Sequence, residues 1–228
     1  MSFSPPEGNG PLLRERLRTA RLYLCAEARP NGEDAEGLLR AALGGGVDIV
    51  QLREKELGRA EIERAAATYR RVADTFSALF IINDDPDLAR ACDADGVHVG
   101  RAEEVAAARE LLGPDAIIGL STHSEAEIDA AAELAADYIA VGPIWETPTK
   151  PGRAGIGLEP IGHAAEHASV PFFAIGGISP LNAEEVVRAG AHRLCVVRAI
   201  RDAPHPAVAA EALRRAFAAA EKGVAPGG

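Results

Sequence analysis

What constrains this chain most is an alternation. From residue 20 onward, short apolar runs recur between alanine-rich segments of helical period, separated by brief Gly, Asp or Pro punctuation. The runs are RLYLCA (21–26), VDIVQLR (47–53), ALFIIND (78–84), GVHVG (96–100), AIIGLS (116–121), DYIAVG (137–142), PFFAIGG (171–177) and RLCVVR (193–198). Each reads as a strand with a helical stretch behind it, and strands alternating with helices pair in parallel. Eight such units in about 200 residues predict an α/β fold, a (β/α)8 TIM barrel in a single domain. An open doubly wound sheet is the runner-up, and no G-x-G-x-x-G opens a helix after the first run to support it. The Gly- and Pro-rich ends, 1–11 and 222–228, read as loose segments around a barrel of residues 12–221.

Composition narrows the partners. A formal net charge of −10 argues against a nucleic-acid or anionic-membrane surface, so local basic clusters stand out. No apolar stretch reaches the roughly eighteen residues of a membrane span, and the amino terminus has no apolar leader, so a cytoplasmic location is expected. Assembly into an oligomer is left open. Cys25, Cys92 and Cys195 lack CxxC spacing and are expected to be reduced, with Cys25 and Cys195 on neighbouring strands of a closed barrel. The histidines show no paired metal spacing; His98 reads as structural, whereas His123 can reach the carboxyl-terminal mouth.

The second run poses the functional question. Val47, Ile49, Gln51, Arg53 and Lys55 alternate, so a strand would place them on one face that passes from apolar to polar. A strand running out into solvent would look the same. The other strand ends add complementary chemistry, because in this barrel they meet at one mouth. The third run closes with Asn83, Asp84 and Asp85, the fourth is followed by Glu103, and the fifth ends in Ser121 and Thr122. Asp84 and Glu103 with nearby oxygen donors suit Mg²⁺, which takes one or two carboxylates, phosphate oxygens and water; Asp85 and Glu103 equally suit helix starts. After the sixth run, WETPTKPGRAGIGLEP (145–160) is too rich in Pro and Gly for a helix, which makes it a candidate lid carrying Thr147, Thr149, Lys150 and Arg153. Gly176 and Gly177 after the seventh run, with the eighth run's end, fall where such barrels bind phosphate. Two phosphate-bearing groups are therefore expected, one beside the metal.

With QLREK, INDD, DGVHVG, LSTHS, GPIWETPTK, AIGGI and VVRAI in order over about residues 20–203, the chain resembles the thiamine-phosphate synthase family. The resemblance implies Mg²⁺-dependent coupling of a hydroxymethylpyrimidine diphosphate to a thiazole phosphate, with release of pyrophosphate. It implies diphosphate and pyrimidine binding by Gln51, Leu52, Arg53, Glu54, Lys55 and Asn83, and metal at Asp84 and Glu103. It implies further contacts from Ser121, Thr147, Thr149 and Lys150, and a thiazole phosphate site at Gly177, Val197 and Arg198. Arg53, Lys55 and Lys150 are the expected catalytic cations, neutralising the departing diphosphate. Four positions depart from the family pattern: Glu103 stands for aspartate, Arg101 for glutamine and Arg198 for serine, and the first strand ends CAEAR without Thr-Asp. The alternatives are a metal-independent thiazole tautomerase and a non-catalytic ligand-sensing barrel.

Overall fold

The computed structural model describes residues 9–147, 152 and 154–223, with side chains through 219. Its strands are β1 (Leu22–Ala26), β2 (Ile49–Leu52), β3 (Leu79–Asn83), β4 (Gly96–Val99), β5 (Ile117–Thr122), β6 (Tyr138–Val141), β7 (Phe172–Ile175) and β8 (Leu194–Val196). They pair in parallel, each with the next, and β8 returns to β1 with Cys195 opposite Tyr23, so the sheet closes into the expected barrel. The helices are α1 (Gly10–Thr19), α2 (Glu36–Gly44), α3 (Arg59–Phe76), α4 (Pro86–Ala91), α5 (Glu103–Leu112), α6 (Glu125–Ala130), α7 (Glu159–His167), α8 (Ala183–Arg188), α9 (Arg198–Arg201) and α10 (Pro206–Gly223).

Strand alternation divides the apolar residues into two cores. Leu22, Leu24, Val50, Leu52, Phe80 and Ile82 face outward against the helices. Tyr23, Cys25, Ile49, Leu79, Ile81, Ile117, Tyr138, Phe173 and Cys195 fill the barrel. Each large side chain so buried contributes about 1.5–3 kcal/mol relative to exposure. Val47 corrects the sequence reading: it precedes β2 and packs in the outer layer, not on the Ile49 face, because its amide is still bonded to Ala42 O at 3.1 Å in the turn that leaves α2. Helix α1 was not singled out from sequence; its Leu13 and Leu17, four residues apart, close the amino-terminal end of the barrel interior.

At that end aspartates tie neighbouring strands together. Asp48 accepts from the main-chain N–H groups of Arg21 (2.8 Å) and Leu22 (2.9 Å), Asp95 from Phe80 (2.7 Å) and Asp137 from Ile118 (2.8 Å). Each also meets an arginine: Arg214, Arg70 and Arg109 respectively. Structural charge thus gathers at one end of the barrel, leaving the other end for the groups named below.

Candidate active site

Alternation continues past the last paired residue of β2. Ile49 is in the barrel core, and Gln51 above it is 5% exposed. Its Nε2 donates to the Tyr23 hydroxyl at 2.7 Å, and its Oε1 accepts from Cys25 Sγ at 3.1 Å. Arg53 is half-buried in the wall, its amide tied to Ala26 O at 2.9 Å, and Lys55 stands exposed at the rim. The inward face therefore runs from core through floor and wall to rim. Leu52 points into the outer core, opposite Ala26 and Ile82 of the neighbouring strands, and does not line the cavity. Glu54 turns back on its own loop and accepts from the amides of Ala28 (3.2 Å), Lys55 (2.8 Å) and Glu56 (2.9 Å). Burial alone would raise its pKa, but the amides of Glu56, Lys55 and Ala28 outweigh it and hold the carboxyl below its ordinary value.

Past β3, Asn83 lines the cavity and Asp84 lies exposed at the outer mouth near Lys55 and Arg101. Asp84 has φ of 62°, a left-handed conformation uncommon outside glycine, and its amide donates to His98 O at 2.8 Å. Its carboxylate has no ion pair among the described residues. Asp85 is a helix cap, accepting from Leu88 N at 2.8 Å. Glu103 is the first residue of α5; its side chain is 68% exposed, lies 3.4 Å from Arg101 and does not join the mouth lining. No group of three His, Cys, Asp or Glu able to hold a metal occurs among the described residues. With Lys55 and Arg101 beside it, the Asp84 carboxylate could hold a divalent cation only with ligand oxygens and water as the other partners.

Ser121 is bonded to His98 Nε2 at 3.0 Å, and His123 contacts Gly142 O through Nδ1 while lining the same space. The long loop after β6 is pinned where its two arms approach: Ile156 N donates to Pro143 O (2.8 Å) and Gly157 N to Ile144 O (3.0 Å). Gly155 allows this approach, since a Cβ there would sit 2.6 Å from Ile144 O. Thr147 lines the cavity; Thr149, Lys150 and Arg153 lie outside the described residues. After β7, Gly177 has φ of 73°, and a Cβ on it would stand 2.9 Å from Trp145 Cβ. Asn182 fixes this turn, donating to Gly177 O at 3.0 Å and accepting from Ser179 N at 2.8 Å. Val197 precedes α9 and Arg198 opens it, with the arginine exposed.

One cavity of about 330 Å³ is lined by Arg53 and Asn83, by Ser121 and Thr147, and by Gly177, Val197 and Arg198. It gathers cations, hydroxyls and a glycine turn in a single enclosure. Tyr23 and Cys25 also line it and were not picked as site residues from sequence; the available signal was their i, i+2 spacing on the interior face of β1.

A family model described as thiamine monophosphate synthase matches residues 22–200. Thiamine-phosphate synthase of Thermobifida fusca is 47% identical over 212 residues, covering 91% of this chain and 97% of that one. That of Mycobacterium tuberculosis is 46% identical over 217 residues, 90% and 98% of the two chains. Among solved structures, thiamine phosphate pyrophosphorylase from Pyrococcus furiosus superposes with a TM-score of 0.80 at 32% identity, covering 91% and 98%. On the match to the family model and on these relatives, the chain belongs to the thiamine monophosphate synthase family.

Proposed function

We propose that this cavity joins a hydroxymethylpyrimidine diphosphate to a thiazole phosphate: the pyrimidine's carbon–diphosphate bond breaks, a carbon–nitrogen bond to the thiazole forms, and pyrophosphate leaves. Family membership makes the chain a transferase of thiamine biosynthesis. The observation that carries the reading is that one cavity is bounded both by the Arg53 wall and by the Gly177 to Arg198 turns. Two phosphate-bearing substrates can then meet in one place.

In this mechanism Gln51, Asn83 and Ser121 hold the pyrimidine. Leu52 backs the wall from the outer core, and Glu54 shapes the loop that carries Arg53 and Lys55. Arg53, Lys55 and Lys150 neutralise charge on the departing diphosphate, with Thr147 and Thr149 as hydroxyl partners. Departure leaves a cation stabilised by the pyrimidine ring, which the thiazole nitrogen captures, so no nucleophilic side chain takes part. The thiazole phosphate rests on main-chain N–H groups at Gly177, Val197 and Arg198. Asp84 would hold Mg²⁺, with Glu103 joining only by leaving Arg101, and the ion when bound would supply further charge neutralisation on the leaving group.

The test is coupling measured with both substrates after exhaustive chelation, after Mg²⁺ is restored, and in Asp84→Asn. Activity should vanish on chelation, return with Mg²⁺ and stay low in the variant. Coupling that persists undiminished without metal removes the metal assignment, and isomerisation of thiazole phosphate alone would replace the transferase reading by a tautomerase.

A further inference from the structure

Along the floor of the cavity six side chains from five strands form one unbroken hydrogen-bonded chain: Cys25, Gln51, Tyr23, Tyr138, His98 and Ser121. The links after Gln51 are Tyr23 to Tyr138 between hydroxyls at 3.0 Å, Tyr138 hydroxyl to His98 Nδ1 at 3.1 Å, and His98 Nε2 to Ser121 Oγ at 3.0 Å. Tyr138 lies under the cavity lining, fully buried, with its ring stacked on His98. Burial before all else pushes both phenols well above their ordinary pKa, so each carries one proton and can donate once.

That single proton gives the chain a direction, and Gln51 sets it. Its Oε1 lies 3.1 Å from the Cys25 sulfur, a contact that suits S–H···O, which turns Nε2 toward Tyr23. Tyr23 thereby accepts, and its own proton goes to Tyr138. Were Tyr138 the donor in that pair, the Tyr23 proton would be left without an acceptor in a fully buried place, which is costly. Tyr138 therefore donates onward to His98 Nδ1. A neutral imidazole that accepts at Nδ1 carries its proton on Nε2. That proton goes to Ser121 Oγ, and the serine's own proton is released toward the cavity.

We propose that this chain holds His98 as the Nε2–H tautomer and makes Ser121 a hydrogen-bond donor to the ligand, with Tyr138 the positioning residue at its centre. Resting on the reading that the pyrimidine lies over Ser121, the consequence is selectivity. The floor favours a ring nitrogen bearing a lone pair over a ring N–H at that point, since a ring N–H would have to take the serine's one remaining lone pair and turn its proton away from the ligand.

The experiment is ¹⁵N NMR of the full-length, ligand-free protein labelled on histidine, with the His98 signals assigned by their loss in His98→Gln. The parent should show the Nε2–H form, and Tyr138→Phe should turn it into a tautomer mixture. An Nδ1–H form in the parent, or an unchanged tautomer in folded Tyr138→Phe, overturns the proposal. If that variant does not fold, the parent's tautomer alone decides between the two directions. Kinetics give a second arm: Tyr138→Phe should raise KM for the pyrimidine diphosphate about tenfold with KM for the thiazole phosphate unchanged, and a pyrimidine should compete better than the pyrimidinone bearing a ring N–H. With the parent in the Nε2–H form, an unmoved pyrimidine KM or a preference for the pyrimidinone overturns the selectivity while coupling stands. Loss of the coupling reading instead appears as a parent without turnover, whatever its tautomer.

Discussion

Replacing Gly119 by alanine places a methyl group against the Tyr138 ring. A Cβ at this position in β5 would lie 2.1 Å from Tyr138 Cζ, 2.4 Å from its hydroxyl oxygen and 2.5 Å from Cε1. All three atoms belong to a rigid phenol, and the hydroxyl is held by Tyr23 at 3.0 Å and His98 at 3.1 Å. The ring can retreat only by giving up those bonds. Overpacking a core costs about 1–3 kcal/mol, and each surrendered hydrogen bond about 0.5–1.5 kcal/mol net. Against this, alanine lowers the entropy of the unfolded chain, worth about 0.4–1 kcal/mol in the opposite sense. The expected net loss is about 1–6 kcal/mol, against the 5–15 kcal/mol typical of a domain. Urea unfolding of parent and variant, with unchanged m-values, measures it. A variant within about 0.5 kcal/mol of the parent and with an unchanged pyrimidine KM would refute the claim that this ring is fixed from both sides.

Other outcomes follow from the same geometry. Lys150→Ala should lower turnover about a hundredfold or more if its ammonium neutralises the leaving diphosphate; near-normal turnover in a folded variant removes it from the mechanism. Arg198→Ser should bind thiazole phosphate within about threefold of the parent if main-chain amides hold it, whereas a loss of about tenfold would show that the guanidinium grips the phosphate. Glu54, with its folded pKa below the ordinary carboxylate value, stabilises fully above about pH 4.3 and loses that contribution as pH falls through the lower folded value. Glu54→Gln should therefore be less stable at neutral pH and less acid-sensitive below that point, as read from unfolding midpoints across the range; parallel pH curves for the two proteins would contradict this.

Much of the fold was legible because each strand carries its own signal. Runs such as ALFIIND and PFFAIGG are continuous and apolar, as strands covered on both faces must be, and their order fixes a parallel barrel. Gln51, Arg53 and Lys55 were legible as a face because the period of two persists beyond the paired residues of β2. Helix α1 was harder: its meaning lies in covering an end of the barrel that exists only after closure. The floor was hidden for the same reason. Tyr23, Tyr138 and His98 each look like ordinary strand residues, and only closure brings their polar atoms within bonding distance. Asp84 and Glu103 read as a pair from sequence, but side-chain direction depends on local backbone, and Glu103 turns to Arg101 at the start of α5.

Whether one cavity brings two phosphate-bearing substrates together and expels pyrophosphate is tested most directly by incubating the protein with hydroxymethylpyrimidine diphosphate, thiazole phosphate and Mg²⁺. Thiamine phosphate and pyrophosphate are then quantified in the same samples over time. The two products should appear in equal amounts, neither should appear when either substrate is left out, and both rates should fall together in Lys150→Ala. Pyrophosphate released without thiamine phosphate, or no thiamine phosphate from the complete mixture, would contradict this coupling.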